Sequence, residues 1–199
     1  MTVWFSADCH ESHGNILVYA KRPFRDINEM NEALIERWNS LVKMKDTSYI
    51  IGDVSLSAIN ATSVEQFLRR LNGVKCIVPS LDHDARWVSA WKGMDGVVIL
   101  PPLHTVRHKE FAIDGRGLLV TLCHYPLASW PASHYNVGGK EPKIVSIQLH
   151  GHHHGRAKKV LGQMDVGVDC WNGCLVSLEE VVNLLRSGRE FRYPGWRVE

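Results

Sequence analysis

The chain has 199 residues, of which 45% are hydrophobic and 22% charged, enough apolar surface to bury the core of one globular domain. A formal charge of +2 excludes the strongly basic composition of proteins that bind nucleic acid mainly through charge. The sequence has no run of about 18 apolar residues and no basic segment followed by an apolar one at its N-terminus, so we expect neither a membrane span nor a signal peptide.

The cysteines indicate a reducing compartment. Their number is odd, and their spacing is not the paired spacing of a zinc ribbon. They are Cys9, Cys76, Cys123, Cys170 and Cys174. We therefore expect free thiols and a cytoplasmic protein.

Apolar runs typical of strands alternate with amphipathic segments typical of helices. We predict strands at 3–5, 49–51, 75–78, 96–100, 118–122, 144–149 and 164–168. A long loop is expected at 131–143, which is rich in Pro, Gly, Asn and Ser. The alternation favours an α/β fold, which we assign to a single domain over residues 1–199.

Three longer helices are predicted from apolar spacing and capping residues. The first covers 27–45, where apolar residues recur at helical spacing on one face. The second is predicted to start at Ser63, a capping residue that Gln66 follows three positions later. The third is predicted to start at Ser177 for the same reason, with Glu180 three positions later.

Five short clusters of Asp and His each follow a predicted strand. They are Asp8-Cys9-His10, Gly52-Asp53, Asp82-His83-Asp84, Cys123-His124 and His150-Gly151-His152-His153-His154. Imidazole and carboxylate groups bind first-row transition metals. Ligand sites of open α/β sheets lie outside the carboxyl ends of the strands, so we expect the clusters to converge on one crevice. The pattern predicts a two-metal hydrolase.

Other enzyme chemistries receive little support. Cys9 and Cys123 each lie beside a histidine, but neighbouring residues on a strand point to opposite faces, which disfavours a Cys-His pair made of neighbours. The chain also lacks a Gly-x-x-x-x-Gly-Lys loop, so an NTPase of that class is not expected.

The order Asp-x-His, Gly-Asp, Asn/Asp-His-Asp, His, Gly-His-x-His resembles the calcineurin-like metallophosphoesterase family. The segments 5–10, 124–127 and 166–172, with His13, Asn15 and Ile16, look like the small single-domain bacterial and phage members. The resemblance implies a four-layer α-β-β-α sandwich, in which two mixed β-sheets pack face to face and helices cover them.

The resemblance also implies two sets of metal ligands joined by a bridging carboxylate. The first set is Asp8, His10 and His154, and the second is His124, His152 and Asp82. Asp53 would bridge the two metal ions through its two oxygens. Mn²⁺ is our first expectation for both ions, with Fe, Zn, Ni and Co as alternatives, because a His/Asp site selects its metal by availability as much as by geometry.

The resemblance assigns the leaving group to His83. A histidine suits proton donation near neutral pH because its ordinary pKa is about 6.5. Asp84 has two readings: it orients the His83 ring, or it is an exposed carboxylate in a turn. Both residues are therefore candidates for a catalytic role.

The chain departs from the family at 81–82, where Leu81-Asp82 stands in place of Gly-Asn. An asparagine offers an oxygen to a metal and amide hydrogens to a phosphate, whereas an ionised Asp82 only accepts hydrogen bonds and repels phosphate oxygens. Leu81 would be strained if the position requires a positive φ. We expect tighter metal binding and weaker substrate binding.

Three residues are candidates for substrate contact. His13 either supports the metal ligands or touches the substrate, and the two readings are equally good. Tyr125 and Trp130 either stack on a base or an aryl group, as aromatic rings do with any base, or pack in the core. The expected partner is a small phosphoester, including nucleotides, with no membrane and no nucleic-acid polymer.

The resulting functional prediction is hydrolysis of a phosphoester by a metal-activated hydroxide. Phosphodiesters, including cyclic nucleotides, rank ahead of monoesters, because the short chain leaves no room for a large cap and the similar small members act on diesters. The alternatives are a phosphomonoesterase and a catalytically impaired metal-binding scaffold, which Asp82 motivates. The retention of His83 speaks against the scaffold.

Overall fold

The computed structural model describes residues 1–56, 61–187, 189 and 192–196. Within them the chain forms nine strands: β1 (Val3–Ser6), β2 (Thr47–Ile51), β3 (Val74–Val78), β4 (Val97–Ile99), β5 (Leu103–Ile113), β6 (Arg116–Cys123), β7 (Ser146–His150), β8 (Gln163–Asp165) and β9 (Val176–Ser177). The α-helices of the same residues are α1 (Ile16–Tyr19), α2 (Ile27–Leu41), α3 (Ala61–Arg70), α4 (Val88–Trp91) and α5 (Leu178–Arg186).

The strands form two mixed sheets. The five-stranded sheet has the order β4-β3-β2-β1-β9, and all of its pairs are parallel except β1 with β9. The four-stranded sheet has the order β5-β6-β7-β8, and its antiparallel pair is β5 with β6. The predicted α/β sandwich of two mixed sheets flanked by helices is confirmed.

An apolar cluster joins the two sheets. It contains Phe5 of β1 and Ile51 of β2 together with Leu122 of β6 and Leu149 of β7, all fully buried. Burial of each such side chain is worth about 1.5–3 kcal/mol relative to exposure, so this layer holds the sheets face to face.

A second apolar cluster lies on the other face of the five-stranded sheet. Met30 of α2 and Leu68 of α3 pack there with Ile50 of β2 and Ile77 of β3. Neighbouring strand residues point to opposite faces, which is why Ile50 contacts the helices while Ile51 belongs to the layer between the sheets.

Side-chain caps start two of the helices. Asp26 Oδ1 accepts the N–H groups of Asn28 and Glu29, each at 2.9 Å, at the start of α2. Ser177 Oγ accepts the Glu180 N–H at 3.1 Å, as its sequence predicts. None of the helices in the described residues is long and apolar enough to span a membrane.

The secondary structure differs from the sequence prediction at several places, among them Ser63 and β5. Ser63 does not cap α3, because the helix begins at Ala61 and the Ser63 hydroxyl donates to Glu11 Oε1 at 2.7 Å. Strand β5 was not predicted at all. It lies at a sheet edge with most of its residues exposed or half-buried, so its charged residues hide the usual strand pattern.

Candidate metal centre

The loops after β1, β2 and β7 are joined by hydrogen bonds around Asp8. The Asp8 N–H donates to the Gly52 carbonyl at 3.1 Å, and the His10 N–H donates to the Asp53 carbonyl at 2.9 Å. From the other sheet, the His152 N–H donates to both carboxylate oxygens of Asp8, at 3.0 and 3.1 Å. Three of the five predicted clusters are therefore fixed together through their backbones.

Many of the predicted metal ligands have a left-handed backbone. The φ angles are 57° at Asp8, 53° at His10, 52° at Asp53, 70° at His152 and 49° at His154. Residues other than glycine rarely adopt this conformation, and strained backbone of this kind concentrates at functional sites. The surrounding fold therefore holds these side chains in place against their local preference.

Glycines make room for the ligands. A Cβ at Gly52 would lie 2.4 Å from His124 Nδ1. At Gly167 and Gly151 a Cβ would lie 2.4 and 2.6 Å from Asp8 Oδ2. All three distances are far below a normal contact, so no side chain fits at these three positions while Asp8 and His124 keep their places.

The structure brings five of the predicted ligands together. Two groups have all their ligand atoms within 4.8 Å of one another, and these are Asp8 with His10 and His154, and Asp8 with Asp53 and His124. Asp53 Oδ2 lies 3.6 Å from His10 Nε2 and 3.3 Å from His124 Nε2. Asp53 thus stands between the two groups, where a bridging carboxylate is expected.

Several ligand atoms in this cluster lack a hydrogen-bond partner. His10 Nε2, Asp53 Oδ1 and His124 Nε2 are buried and make no hydrogen bond. Buried polar atoms in proteins are nearly always paired, since an unpaired one costs about 1–3 kcal/mol. Nitrogen and carboxylate oxygen atoms turned toward one another in this way are the donor set of a divalent transition metal, so the residues fit such ions.

Hydrogen bonds on Nδ1 orient two of the histidines. His124 Nδ1 lies 3.0 Å from the Ile51 carbonyl, and His154 Nδ1 lies 2.5 Å from Asp169 Oδ2. Each oxygen accepts the Nδ1 proton, so Nε2 is the ring atom that offers its lone pair once the ring is neutral. This is the arrangement that residues behind metal-binding histidines provide.

Arg22 and Asp169 support the candidate centre from behind, a role that no sequence pattern indicated. Arg22 donates to both oxygens of Asp169 at 2.9 Å and to the backbone carbonyls of Asp8 and Cys9 at 2.6 and 2.8 Å. Burial works to raise the pKa of Asp169, but His154 and Arg22 outweigh it and hold that pKa well below its usual range. Asp169 is therefore ionised where it meets His154.

The buried groups strongly perturb each other's proton affinity. Burial raises the pKa of Asp8 to about 7 and lowers that of His10 well below its usual value. Burial also works to lower the pKa of His124, but the carboxylates of Asp53 and Asp8 outweigh it and raise the pKa to about 9. Without a cation, the cluster therefore keeps protons that a metal ion has to displace.

His152 and Asp82 lie further out than the other predicted ligands. The His152 ring contacts those of His124 and Tyr125, with centroids 5.2 and 4.9 Å apart, and the residue is exposed. Asp82 is also exposed, and its Oδ1 accepts the Tyr125 hydroxyl at 3.0 Å and the His83 N–H at 2.9 Å. Neither residue belongs to the two close groups of ligand atoms.

The backbone strain expected if Leu81 required a positive φ is absent. Leu81 is not among the residues with a positive φ, and its side chain is 67% exposed. Burial works to raise the pKa of its neighbour Asp82, but the His83 N–H and the Tyr125 hydroxyl outweigh it and lower that pKa. The departure from the family pattern therefore consists of a negative charge at the mouth of the site.

His83 and His13 flank His10. His83 Nε2 lies 3.9 Å from Asp53 Oδ2, and its side chain is 33% exposed. The His83 and His13 rings have their centroids 5.9 and 5.3 Å from that of His10. Both rings can therefore meet a molecule that enters from solvent and reaches the buried cluster.

Asp84 has a different role from either sequence-based reading. It is fully buried, so it is not an exposed turn residue. Its two oxygens accept the N–H groups of Val54 and Ser80, each at 3.0 Å, and none of the hydrogen bonds in the described residues joins it to the His83 ring. Asp84 ties together the loops after β2 and β3, and burial raises its pKa to about 6.

Of the aromatic candidates, Tyr125 lies at the site and Trp130 does not. Trp130 is buried, and its ring lies 3.3 Å from the point where Gly162 would carry a Cβ, at the start of β8. Its Nε1 has no hydrogen-bond partner. The structure thus corrects the substrate contact proposed for Trp130, which is a packed core residue.

Comparisons with other proteins support the fold and leave the activity open. No family model matches the chain. The chain is 28% identical over 198 residues to the uncharacterized protein MJ1445 of Methanocaldococcus jannaschii, covering 96% of this chain and 94% of that one. It also matches the crystal structure of the protein of unknown function AQ665 from Aquifex aeolicus, with a TM-score of 0.66, 19% identity, and coverage of 92% of this chain and 98% of the other. The chain therefore shares its fold with this protein.

Proposed function

We propose that the protein is a metal-dependent phosphoesterase that uses two divalent cations, Mn²⁺ first among them, to hydrolyse phosphodiesters. One observation carries the proposal: His10 Nε2, Asp53 Oδ1 and His124 Nε2 are buried, unpaired and gathered around one another. A site that only bound metal ions would not need an accessible histidine beside it. His83 nevertheless lies there, with its Nε2 3.9 Å from Asp53 Oδ2.

The ligands divide naturally between two cations. Asp8, which belongs to both close groups, would hold the first with His10 and His154, and His124 would hold the second. Asp53 would be shared, because its Oδ2 lies 3.6 Å from His10 Nε2 and 3.3 Å from His124 Nε2. Two such ions would supply positive charge to hold a phosphoryl group and would lower the pKa of a bound water. The Nδ1 hydrogen bonds of His124 and His154 fix the ring orientations before the metal arrives.

His83 is placed to donate a proton to the leaving oxygen. Its Nε2 faces the Asp53 carboxylate at 3.9 Å, and a third of its side chain stays open to solvent. A phosphoryl group held over Asp53 would therefore lie within reach of the ring. Its backbone N–H is held by Asp82, which limits movement of the residue.

The substrate is proposed to be a small phosphodiester, with cyclic nucleotides as the first class. His13 and Tyr125 border the entrance and can contact the organic part of the substrate. The ionised Asp82 beside them disfavours a dianionic monoester more than a monoanionic diester. We place this activity in the cytoplasm, the compartment that the odd number of cysteines favours.

The test is hydrolysis by metal-stripped protein resupplied with Mn²⁺. Bis-p-nitrophenyl phosphate, p-nitrophenyl phosphate and 2′,3′-cyclic AMP are compared in the wild type, in His83→Ala and in a control, His134→Ala, which changes an exposed histidine. We expect metal-dependent diester turnover. In His83→Ala the rate of hydrolysis should fall about 10²–10⁴-fold for the cyclic nucleotide. It should fall less for the p-nitrophenyl substrates, because p-nitrophenolate leaves without protonation.

A catalytically impaired scaffold is the second candidate, and Asp82 is the observation that favours it. A carboxylate tied to Tyr125 at the mouth repels anionic substrates. The variant Asp82→Asn distinguishes the scaffold from the phosphoesterase. A large gain in hydrolysis identifies an enzyme whose activity is limited by the Asp82 charge. Two bound metal ions with no turnover in either form favour the scaffold.

A further inference from the structure

A cavity separate from the metal centre lies behind the loop that carries the last histidines. Its volume is about 350 Å³, and it is enclosed by the start of β8, by α5 and by the segments 138–142 and 155–162. None of the predicted metal ligands lines it. Small-molecule sites of proteins typically have volumes of about 300–1,000 Å³, so the cavity is large enough for a ligand.

The walls of this cavity are apolar. Val160 and Leu161 line one side and are each 45% exposed, while Leu184 and Leu185 line the other side from α5. The ring of Tyr193 completes the wall. Apolar side chains left open in a concave site favour a ligand with an apolar body.

The rim of the cavity is basic. Lys158, Lys159 and Arg189 line it, and the acidic residue among its lining residues is Asp165 at the floor. Both Asp165 oxygens already accept backbone N–H groups, one from Gly155 and one from Gly167, at 2.8 Å each. The exposed charge at the mouth is therefore positive and suits an anion.

We propose that this cavity binds a small organic anion, with a flat apolar body between the leucines and its anionic group at the lysines. The proposal goes beyond phosphoester hydrolysis and does not depend on it. Charge complementarity selects the occupant: the walls take an apolar ring and the rim takes its negative group.

Hydrogen bonds connect the cavity to the metal centre. Gly155, which donates to Asp165, directly follows His154 in the chain. Gly167, which also donates to Asp165, is the residue whose missing side chain makes room for Asp8. A ligand that holds Asp165 and its partners in place therefore acts on two ligands of the metal centre.

The first test uses 8-anilinonaphthalene-1-sulfonate, an aromatic anion whose fluorescence rises in apolar surroundings, with Mn²⁺-loaded protein. We expect saturable binding of one dye per chain. Leu161→Glu should abolish it, whereas the matched control Leu103→Glu, at a leucine that is 54% exposed outside the cavity, should leave it unchanged. The pair Lys158→Gln and Lys159→Gln should weaken binding about fivefold.

The second test measures whether binding of the dye and binding of Mn²⁺ affect each other. If the dye and Mn²⁺ influence one another through Asp165, saturating dye must change the Mn²⁺ dissociation constant by the same factor as saturating Mn²⁺ changes that of the dye.

Equal loss of binding in Leu161→Glu and Leu103→Glu overturns the proposed site. Dye binding that survives in both variants also overturns it. Inorganic sulfate, an anion without an apolar body, serves as a further control and should not displace the dye.

Discussion

Trp196 and Asp169 are joined by a hydrogen bond that connects the segment after α5 to the proposed metal centre. The Trp196 indole N–H donates to Asp169 Oδ1 at 2.7 Å, while Oδ2 of the same carboxylate meets His154. The Trp196 ring also lies 5.8 Å from the Arg22 guanidinium. One carboxylate thus receives the C-terminal segment on one oxygen and orients a metal ligand with the other.

Trp196→Phe should therefore weaken metal binding without removing any ligand. The variant keeps the aromatic packing and loses the indole donor, so Asp169 holds His154 less firmly. We expect about a fivefold to tenfold rise in the Mn²⁺ dissociation constant, at the lower end of the range for residues behind metal ligands. Isothermal titration calorimetry measures it.

The control for that variant is Trp4→Phe. The Trp4 indole N–H also donates to an aspartate, Asp46 Oδ2 at 3.3 Å, away from the metal centre. Both variants lose one hydrogen bond to a carboxylate, and both should lose stability, but Trp4→Phe should bind Mn²⁺ like the wild type. Equal affinities in the two variants would show that Trp196 does not position His154.

Metal binding should release protons and strengthen as pH rises. Burial raises the pKa of Asp8 to about 7, and Asp53 with Asp8 raises that of His124 to about 9 against the effect of burial, so a cation competes with both protons. Each displaced proton makes affinity rise about tenfold per pH unit below the relevant pKa. Titrations between pH 6 and 9, in buffers of different ionisation enthalpy, measure both the affinity and the proton count.

The metal-free protein should show the opposite trend in stability. Between pH 7 and 9 the folded His124 keeps a proton that the unfolded histidine, with a pKa of about 6.5, has lost. The folded state then binds more protons, so its stability falls as pH rises. Denaturant melts of metal-free and Mn²⁺-loaded protein should diverge across this window. Parallel curves would contradict the pKa assigned to His124.

Asp84→Ala should destabilise the fold. It removes the acceptors of the Val54 and Ser80 N–H groups, and leaving two buried donors unpaired costs about 2–4 kcal/mol. Urea denaturation measures the loss, with Asp95→Ala as the control at an exposed aspartate. If both variants are equally stable, Asp84 does not tie the two loops together.

Asp82→Asn should change substrate preference toward monoesters. The substitution removes one negative charge from the mouth, and repulsion by that charge acts more strongly on a dianion than on a monoanion. We expect the ratio of monoester to diester kcat/KM to rise about tenfold. The ratio is measured with the two p-nitrophenyl substrates, and Tyr125→Phe, which keeps the charge, should leave it nearly unchanged.

The sequence predicted the residues of the site better than their contacts. Asp8 and Asp53 follow β1 and β2, which are parallel neighbours with their carboxyl ends at one edge, so their meeting could be expected from the sequence. His124 follows β6 of the other sheet and meets them where the two sheets pack. The fold of two mixed sheets followed from the same strands together with the family resemblance.

The support behind the ligands could not be predicted in the same way. Arg22 and Asp169 are 147 positions apart, and no local pattern marks a buried ion pair. Asp84 was misread because a carboxylate in a turn is usually exposed, and only the packing of two loops over it reverses that expectation. Burial likewise excludes the substrate contact proposed for Trp130. The sequence could not predict this, because a tryptophan in a loop looks the same in sequence whether it is packed or exposed.

The position of the Asp8 carboxylate between Gly151 and Gly167 means that the proposed metal centre depends on residues that would donate no ligand to it. A single methyl group at either glycine would meet Asp8 Oδ2 at 2.6 or 2.4 Å. Such a substitution would displace the one carboxylate that both groups of ligands share. A chain that keeps every Asp and His of the site but carries alanine at Gly167 is therefore expected to lose the arrangement proposed to bind metal.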